Sequence, residues 1–377
     1  MERDFKRAGR SSGAAVYDLT DHTWLFALRA GVGRPPASVE KLYTSVAVLR
    51  DLGPNATLQT RVLGSGHLAR SGVWRGNLYL HGGGDPTFGE ATFNRIWEHG
   101  YGPTATELVR RLEAHGIRRV TGTLIADGSL FDHEPGPPST RFAPDIPDLG
   151  GQLSALTYDH GSTPSGWSPA AFAAHELALT MRSEGIEVAA TRRTGKAPSS
   201  ARPLATVTSP TVTVLLRLMN VPSDDFFAEM LAKQLGTRLR GAGTTAAGAR
   251  VIKEAVSGYG LHPQIVDGSG LSRRDRSSPR EVVELLNELW GTVLGAQLYS
   301  SLPTVGVNGT VQTIAVRTPA KGACVGKTGT LTDVTNLAGY CHSRRGQRLA
   351  FALFVDGPPN WRAVELEGAM VATIARL

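Results

Sequence analysis

The sequence predicts an α+β protein in which a five-stranded antiparallel sheet, flanked by helices, is formed by both ends of the chain. An amino-terminal strand pair, Gly13 to Leu19 and Trp24 to Arg29, is joined by a polar turn. Three consecutive strand patterns lie near the carboxyl terminus, at Val325 to Leu331, Asn336 to His342 and Arg348 to Val355. Mostly helical patterns lie between these two groups, so the sheet is closed by distant segments of the chain.

The length of 377 residues allows two domains. We expect a first domain from residues 1–57 and 205–377, interrupted by one inserted α+β domain at residues 58–204. Short strands with glycine-rich joints begin the insert, and the polar segment Thr191 to Pro203 is interpreted as a linker at its end.

Helix signals are found in both predicted domains. Thr104 and Glu107 form a capping box ahead of an apolar run. Ser168-Pro169 is a typical helix start, with the helix running to Gly185 and a strand at Ile186 to Ala190. The remaining predicted helices are Thr211 to Met219, Asp224 to Leu235, Thr245 to Val256, Pro279 to Leu289 and Asn360 to Leu377.

The composition excludes several classes of function. The net charge of +7 is spread thinly and forms no basic stripe with interleaved aromatic residues, so nucleic-acid binding is not expected. No apolar stretch reaches the roughly 18 residues of a transmembrane helix, and Met1 to Arg10 carry no hydrophobic signal core. The two cysteines have no partners at metal-ligand spacing, so we expect no metal, and no cofactor is expected either.

Two cysteines are present, Cys324 and Cys341. A turn near Leu331 to Thr335 lies midway between them, which would allow them to face each other across a hairpin. Because two cysteines make no disulfide scaffold, free buried thiols are the expectation.

Ser38 and Lys41 are a candidate nucleophile and its base. Ser38 follows Pro35-Pro36-Ala37, and Leu42, Val46 and Leu49 continue at helical spacing. Residues three apart lie on one face of a helix, so the Lys41 amine reaches the Ser38 hydroxyl. A serine in the first helical turn also lies near unpaired backbone N–H groups that favour a developing anion.

Two further motifs follow in the order known for penicillin-recognising serine enzymes. Ser223-Asp224-Asp225 opens a helical stretch, and Lys327-Thr328-Gly329 lies in a strand pattern. An isolated Ser-x-x-Lys sequence is usually a helix cap with a solvated lysine, but three motifs in this order indicate a catalytic site.

With these motifs the chain resembles the serine D-alanyl-D-alanine carboxypeptidases, the class C low-molecular-mass penicillin-binding proteins. The resemblance covers nearly the whole chain and includes the long interval between the first two motifs. It also rests on further segments: Gly83-Gly84-Asp85-Pro86, Leu153-Ser154-Ala155-Leu156, Asp267-Gly268-Ser269-Gly270-Leu271-Ser272-Arg273, Leu302-Pro303 and Gly309-Thr310. It implies a serine β-lactamase/transpeptidase-like domain carrying one insertion.

The resemblance implies peptidoglycan stem peptides as substrates and β-lactams as inhibitors. Ser38 would attack the carbonyl of the penultimate D-alanine and form an acyl-enzyme that water hydrolyses. Lys41 would accept the proton, with its pKa lowered by the nearby Lys327. Ser223, Asp225 and Lys327 would complete the catalytic set.

The substrate contacts also follow from the resemblance. The backbone N–H groups of Ser38 and Thr330 would form the oxyanion hole. The Lys327-Thr328-Gly329-Thr330 segment would receive the terminal carboxylate of the substrate, and Leu271 and Arg273 would contact the peptide side chain.

Asp225 departs from the family pattern, which has asparagine at this position. An ionised carboxylate only accepts hydrogen bonds, whereas the asparagine amide also donates to the substrate carbonyl. The carboxylate would also favour the protonated form of Lys41 and so oppose its role as a base. Asp225 could instead be protonated or point away.

Three functions therefore compete. The leading hypothesis is a D-Ala-D-Ala carboxypeptidase, and endopeptidase activity on cross-linked peptidoglycan is left open. The second is a penicillin- and peptidoglycan-binding protein with impaired catalysis, and the third is a β-lactamase or esterase, ranked lower because no deacylating glutamate is evident. The resemblance also implies an extracytoplasmic location, in the periplasm or cell envelope.

Overall fold

The amino-terminal hairpin and the carboxyl-terminal strands form one antiparallel sheet. The structure, a computed structural model, describes residues 8–189 and 193–377. Its strands, numbered in chain order, are β1 (Gly13–Asp18), β2 (Thr23–Leu28), β8 (Cys324–Leu331), β9 (Val334–His342) and β10 (Arg348–Asp356). They lie in the order β2-β1-β10-β9-β8, and all neighbours are antiparallel. The predicted α+β class and five-stranded sheet are confirmed.

This sheet is covered on both faces by helices, because its strands are apolar on both sides. Leu349, Phe351 and Leu353 of β10 belong to one buried cluster with Met370 of the helix Asn360–Ile374. On the other face, the buried Tyr340 hydroxyl donates to the Leu286 carbonyl at 2.8 Å. Side chains alternate between the faces of a strand, so both layers pack on the same strands.

The helices around this sheet match the predicted positions within a few residues, except that the Asp225–Arg240 helix extends well beyond its predicted end. They comprise Lys41–Asp51, preceded by a 3-10 helix at Ala37–Glu40, and Val212–Asn220, Asp225–Arg240, Thr245–Ser257, Pro279–Leu289 and Asn360–Ile374. The helix Val293–Ser301 and a 3-10 turn at Gly309–Val311 were not predicted. No helix within residues 8–189 and 193–377 is both long and apolar enough to cross a bilayer.

A second sheet belongs to the interrupting part of the chain. Its strands are β3 (Gln59–Leu68), β4 (Val73–His81), β5 (Arg119–Asp127), β6 (Glu187–Ala189) and β7 (Arg202–Thr208). They lie in the order β6-β5-β4-β3-β7. Strand β3 is antiparallel to β4 and β7, whereas β5 is parallel to β4 and β6. The helices here are Ala91–Trp97, Ala105–Ala114, Ile146–Leu149 and Pro169–Ser183, with a 3-10 turn at Pro138–Thr140.

Local capping explains two of these helices. The Thr104 N–H donates to Glu107 at 2.9 Å, and the Glu107 N–H donates to the Thr104 hydroxyl at 3.2 Å, which forms the predicted capping box. The Ser168 hydroxyl accepts from the Ala171 N–H at 3.3 Å and begins the Pro169–Ser183 helix.

The chain separates into two compact units. The first runs to Pro54 and includes Val212–Ala228 and Thr245–Leu377, whereas the second comprises Asn55–Thr211 and Glu229–Thr244. The second unit therefore takes in Glu229–Thr244, which the sequence analysis had assigned to the first domain at 205–377. Within that unit the buried Lys233 ammonium donates to Asp132 and to the Glu134 carbonyl.

The predicted linker is wrong where the structure describes its end. Arg202 and Pro203 begin β7, which is the edge strand beside β3. Pairing with β3 satisfies the backbone of this polar segment, a contact that composition does not indicate. Residues 191–192 of the linker, and residues 1–7 of the segment without a signal core, lie outside the described residues.

The prediction of free thiols is also wrong. Cys324 and Cys341 lie directly opposite each other in the register of β8 and β9, and they form a disulfide with a Cα–Cα distance of 4.1 Å. The hairpin turn that follows Leu331 sets this register. A shift of the register by one residue would turn one cysteine to the opposite face of the sheet, and the disulfide could not form.

We expect the double variant Cys324→Ala/Cys341→Ala to lose about 3 kcal/mol of unfolding free energy, the usual effect of closing a loop of this length. The sequence separation of the two cysteines is 17 residues. Urea denaturation with and without a reducing agent measures the effect. The reducing agent should destabilise the parent protein and leave the double variant unchanged; equal sensitivity of the two proteins would contradict the pairing.

Candidate active site

Ser38 lies in the short 3-10 turn that precedes the Lys41–Asp51 helix. Its hydroxyl accepts a hydrogen bond from the Lys41 Nζ at 2.9 Å. Ala37 has a φ of +47°, a conformation that non-glycine residues rarely adopt. The half-buried Ser38 side chain remains accessible from a cleft, while Lys41 is buried beneath it.

The Lys41 ammonium is fully buried and has three hydrogen-bond acceptors. It donates to the Ser38 hydroxyl, to the carboxylate of Asp225 and to the carbonyl oxygen of Ser269, the last at 2.9 Å. An ammonium group has three N–H donors, so every donor has a partner. Burial of this cation is therefore compensated by hydrogen bonds and one opposite charge.

The Ser269 carbonyl is held in place by the loop Asp267–Ser272. The buried Asp267 carboxylate accepts from the Gly270 N–H at 2.7 Å and from the Ser272 N–H at 2.8 Å. Gly270 has a φ of +85°, and a Cβ there would lie 1.9 Å from the Ala37 carbonyl oxygen. Only glycine allows this loop to approach the turn that carries Ser38.

Asp225 begins the Asp225–Arg240 helix and faces both Lys41 and Ser38. Besides the contact with Lys41, its Oδ1 lies 3.4 Å from the Ser38 hydroxyl, which donates to it. Burial raises the pKa of the Asp225 carboxyl, and the Lys41 ammonium opposes that shift. The side chain thus does not point away from the site, and its carboxyl group can hold a proton more readily than an exposed aspartate.

Lys327, on β8, is the second buried lysine of the site. Its Nζ donates to the Ser223 hydroxyl at 2.6 Å and to the Thr328 carbonyl at 2.9 Å. Burial lowers the pKa of Lys327 well below its usual value, and the nearby Lys41 charge lowers it further. The effect of Lys327 on Lys41 stays a prediction.

The Gly329 backbone of β8 lies against the turn that carries Ser38. A Cβ at Gly329 would lie 2.5 Å from the Pro36 carbonyl oxygen and 3.0 Å from the Ser38 backbone nitrogen. On the same strand the Thr328 hydroxyl donates to the Thr310 hydroxyl at 2.7 Å. This approach of β8 to the turn requires a residue without a side chain at position 329.

Several of these groups line one cleft with an accessible volume of about 350 Å³, whereas Lys41 and Lys327 are not among its lining residues. Of the predicted site residues, Ser38, Ser223, Asp225, Thr328 and Thr330 line it. The other lining residues are Thr310, Thr313, Ile314, Thr335, Val364 and Glu367.

Sequence reasoning missed Glu367 and the Ser269 carbonyl. The Ser269 contact comes from the backbone and leaves no mark in side-chain chemistry. A sequence signal existed for Glu367, since it lies among apolar residues of an amphipathic helix.

Leu271 and Arg273 are not brought into this cleft. Leu271 is half-buried, and the exposed Arg273 donates to the Thr332 carbonyl in the β8–β9 turn. Their roles in binding the peptide side chain stay predictions. Within residues 8–189 and 193–377 no group of three His, Cys, Asp or Glu side chains is arranged to hold a metal ion.

Solved structures share the fold of this chain. Penicillin binding protein 4 (dacB) from Haemophilus influenzae aligns with a TM-score of 0.83 at 19% identity, covering 100% of this chain and 99% of that one. That protein has also been solved in complex with a β-lactam. A predatory peptidoglycan endopeptidase from Bdellovibrio bacteriovorus aligns with a TM-score of 0.59 at 14% identity, covering 96% of this chain and 92% of that one.

Sequence comparison identifies the family. A D-alanyl-D-alanine carboxypeptidase from Actinomadura sp. is 28% identical over 453 residues, which covers 97% of this chain and 81% of the relative. The model of the D-Ala-D-Ala carboxypeptidase 3 (S13) family matches residues 3–164 and 148–377. The predicted family and enzyme class are thereby confirmed: the chain belongs to the D-Ala-D-Ala carboxypeptidase 3 (S13) family.

Proposed function

We propose that this protein is a serine D-Ala-D-Ala carboxypeptidase that cleaves peptidoglycan stem peptides through an acyl-enzyme on Ser38. The observation that carries the proposal is the 2.9 Å hydrogen bond between Ser38 and Lys41 in an accessible cleft. Family membership supplies the substrate class. The remaining residues of the cleft supply the groups that acyl transfer needs.

Lys41 receives the proton of Ser38 when the hydroxyl attacks the carbonyl of the penultimate D-alanine. This step requires a neutral amine. A carboxylate beside Lys41 opposes that neutral form, and burial, which raises the pKa of the Asp225 carboxyl, weakens this opposition by disfavouring the ionised carboxylate. The family asparagine carries no such charge.

The backbone N–H groups of Ser38 and Thr330 stabilise the oxyanion that forms during attack. The close approach of Gly329 to the Ser38 nitrogen supports this role, because it brings the β8 backbone beside the nucleophile. Removing one such donor from an oxyanion hole typically costs about 3 kcal/mol of transition-state stabilisation.

The terminal carboxylate of the substrate binds to Lys327, Thr328 and Thr330. An anion beside Lys327 raises the pKa of its amine, so the lysine becomes charged when the substrate is bound. Ser223 gives its hydroxyl proton to the departing D-alanine amine and takes a proton back from the charged Lys327, from which it accepts a 2.6 Å hydrogen bond. By family resemblance, Leu271 and Arg273 contact the peptide side chain.

A penicillin-binding protein with impaired catalysis is the second candidate. One observation favours it: the Asp225 carboxylate contacts both Lys41 and Ser38, so it competes for the nucleophile and for its base. Both candidates acylate with β-lactams, and they differ in the turnover of D-Ala-D-Ala peptides.

An extracytoplasmic location is part of the same proposal. Peptidoglycan peptides are found outside the cytoplasm, and the Cys324–Cys341 disulfide is typical of oxidising compartments. Recovery of the native protein only from cytosolic fractions would overturn this part.

The substitution Ser38→Ala should abolish both the covalent penicillin adduct and D-alanine release, because it removes the attacking oxygen. Intact-protein mass spectrometry after incubation with penicillin detects the adduct, and an amino-acid assay measures D-alanine. An unchanged circular dichroism spectrum serves as the control for folding. A variant that still labels would show that another residue is the nucleophile.

The substitution Asp225→Asn should lower the activation barrier for acylation by penicillin by about 1–3 kcal/mol and so accelerate the reaction. The substitution removes the negative charge that attracts the buried ammonium, and the amide supplies an N–H donor to the substrate carbonyl.

Stopped-flow acylation rates from about pH 5 to pH 10 measure this effect. Slower acylation by the asparagine variant would mean that Asp225 itself takes part in proton transfer. Equal rates at every pH would show that Asp225 does not influence the chemistry.

A further inference from the structure

Glu367 is a buried acid in the active-site cleft that the mechanism above does not use. Its side chain lies on the Asn360–Ile374 helix and has no solvent exposure, yet it lines the same cleft as Ser38. Among the residues that the structure describes, neither of its carboxyl oxygens has a hydrogen-bond partner. The Thr335 hydroxyl, which lines the same cleft, is also buried without a partner.

A buried carboxyl group without hydrogen-bond partners, such as that of Glu367, destabilises the folded protein. An unsatisfied polar group in the interior typically costs about 1–3 kcal/mol, and an apolar residue of similar size would avoid the cost. Burial raises the pKa of Glu367 well above its usual value, and no other charge contributes to the shift. A ligand with complementary hydrogen-bonding groups would satisfy the two unpartnered groups in this cleft, Glu367 and Thr335.

The surroundings indicate which part of a substrate meets Glu367. Thr335 is the cross-strand partner of Thr330, which in our proposed function binds the terminal carboxylate of the leaving group. The wall beside Glu367 is continued by Val364, one helical turn earlier, and by Ile314. A leaving residue bound there would have its side chain along an apolar wall that ends at a carboxyl group.

Resting on that proposed function, we propose that Glu367 forms a leaving-group subsite that selects D-amino acids whose side chain ends in an ammonium group. An ammonium supplies N–H donors for the carboxyl oxygens and the positive charge that stabilises their ionised form. The methyl group of D-alanine supplies neither.

Three peptides test the subsite: an N-acylated L-Lys-D-Ala dipeptide extended by D-alanine, D-lysine or D-norleucine. D-Norleucine has the side chain of D-lysine without the ammonium group, so this pair isolates its contribution. Dissociation constants are measured by calorimetry on the Ser38→Ala protein, which removes turnover from the comparison. The ratio kcat/KM is measured on the protein that retains Ser38.

With Glu367 present we expect the D-lysine peptide to bind about 10- to 100-fold more tightly than the D-norleucine peptide, the range for one charge-assisted hydrogen-bonded pair. Glu367→Leu should abolish or invert this preference, and Glu367→Gln should reduce it to a few-fold. Glu365→Gln changes an exposed glutamate on the same helix and should leave the preference intact.

Thermal stability separates this role from a structural one. Because Glu367→Leu removes an unsatisfied buried group, its melting temperature should equal or exceed that of the parent protein. A marked fall would show that Glu367 is a packing residue and overturn the proposal.

Three binding results would also overturn the Glu367 proposal. They are equal binding of the D-lysine and D-norleucine peptides, absence of binding by either, and a preference that persists in Glu367→Leu. A separate result tests the proposed function. It would be wrong if the protein that retains Ser38 released no D-alanine although the binding preference for D-lysine was present.

Discussion

The buried ammonium of Lys41 is the interaction on which the geometry of the site depends. Its acceptors come from three distant parts of the chain: the Ser38 turn, the loop that contains Ser269 and the start of the helix at Asp225. Removing an ammonium from water costs roughly several kcal/mol, so the folded state tolerates it only with all three acceptors in place. Forming this cation site therefore orders the three segments together.

Two glycines set how closely the neighbouring backbones approach the nucleophile. Gly270 lets the Asp267–Ser272 loop contact the Ala37 carbonyl, and Gly329 lets β8 contact the Ser38 nitrogen. The turn that carries Ser38 is thus confined from two sides, and the unusual φ of Ala37 is maintained by that confinement. Catalytic groups held in this way need little rearrangement when a substrate binds.

Local sequence signals predicted individual helices and strands but not the tertiary contacts between them. Ser-x-x-Lys spacing, the capping box at Thr104 and the proline at the start of the Pro169–Ser183 helix are short-range patterns, and each predicted its element. The disulfide depends on hairpin register, and β7 depends on pairing with β3; both are set by tertiary contacts that a one-dimensional pattern does not contain. Ser269 contributes a carbonyl oxygen, a group that every residue has.

The charges of the site are arranged so that an anionic substrate can enter. Lys41 already has Asp225 as its opposite charge, whereas the hydrogen bonds of Lys327 go to a hydroxyl and a carbonyl. A carboxylate that binds beside Lys327 therefore meets an amine able to take up a proton, with no ion pair to displace. Glu367 in the same cleft would repel that carboxylate if it were ionised, but burial raises its pKa and so disfavours the ionised form. A cation that accompanies the carboxylate would offset this cost, so a leaving group with both charges fits the cleft better than one with a second anion.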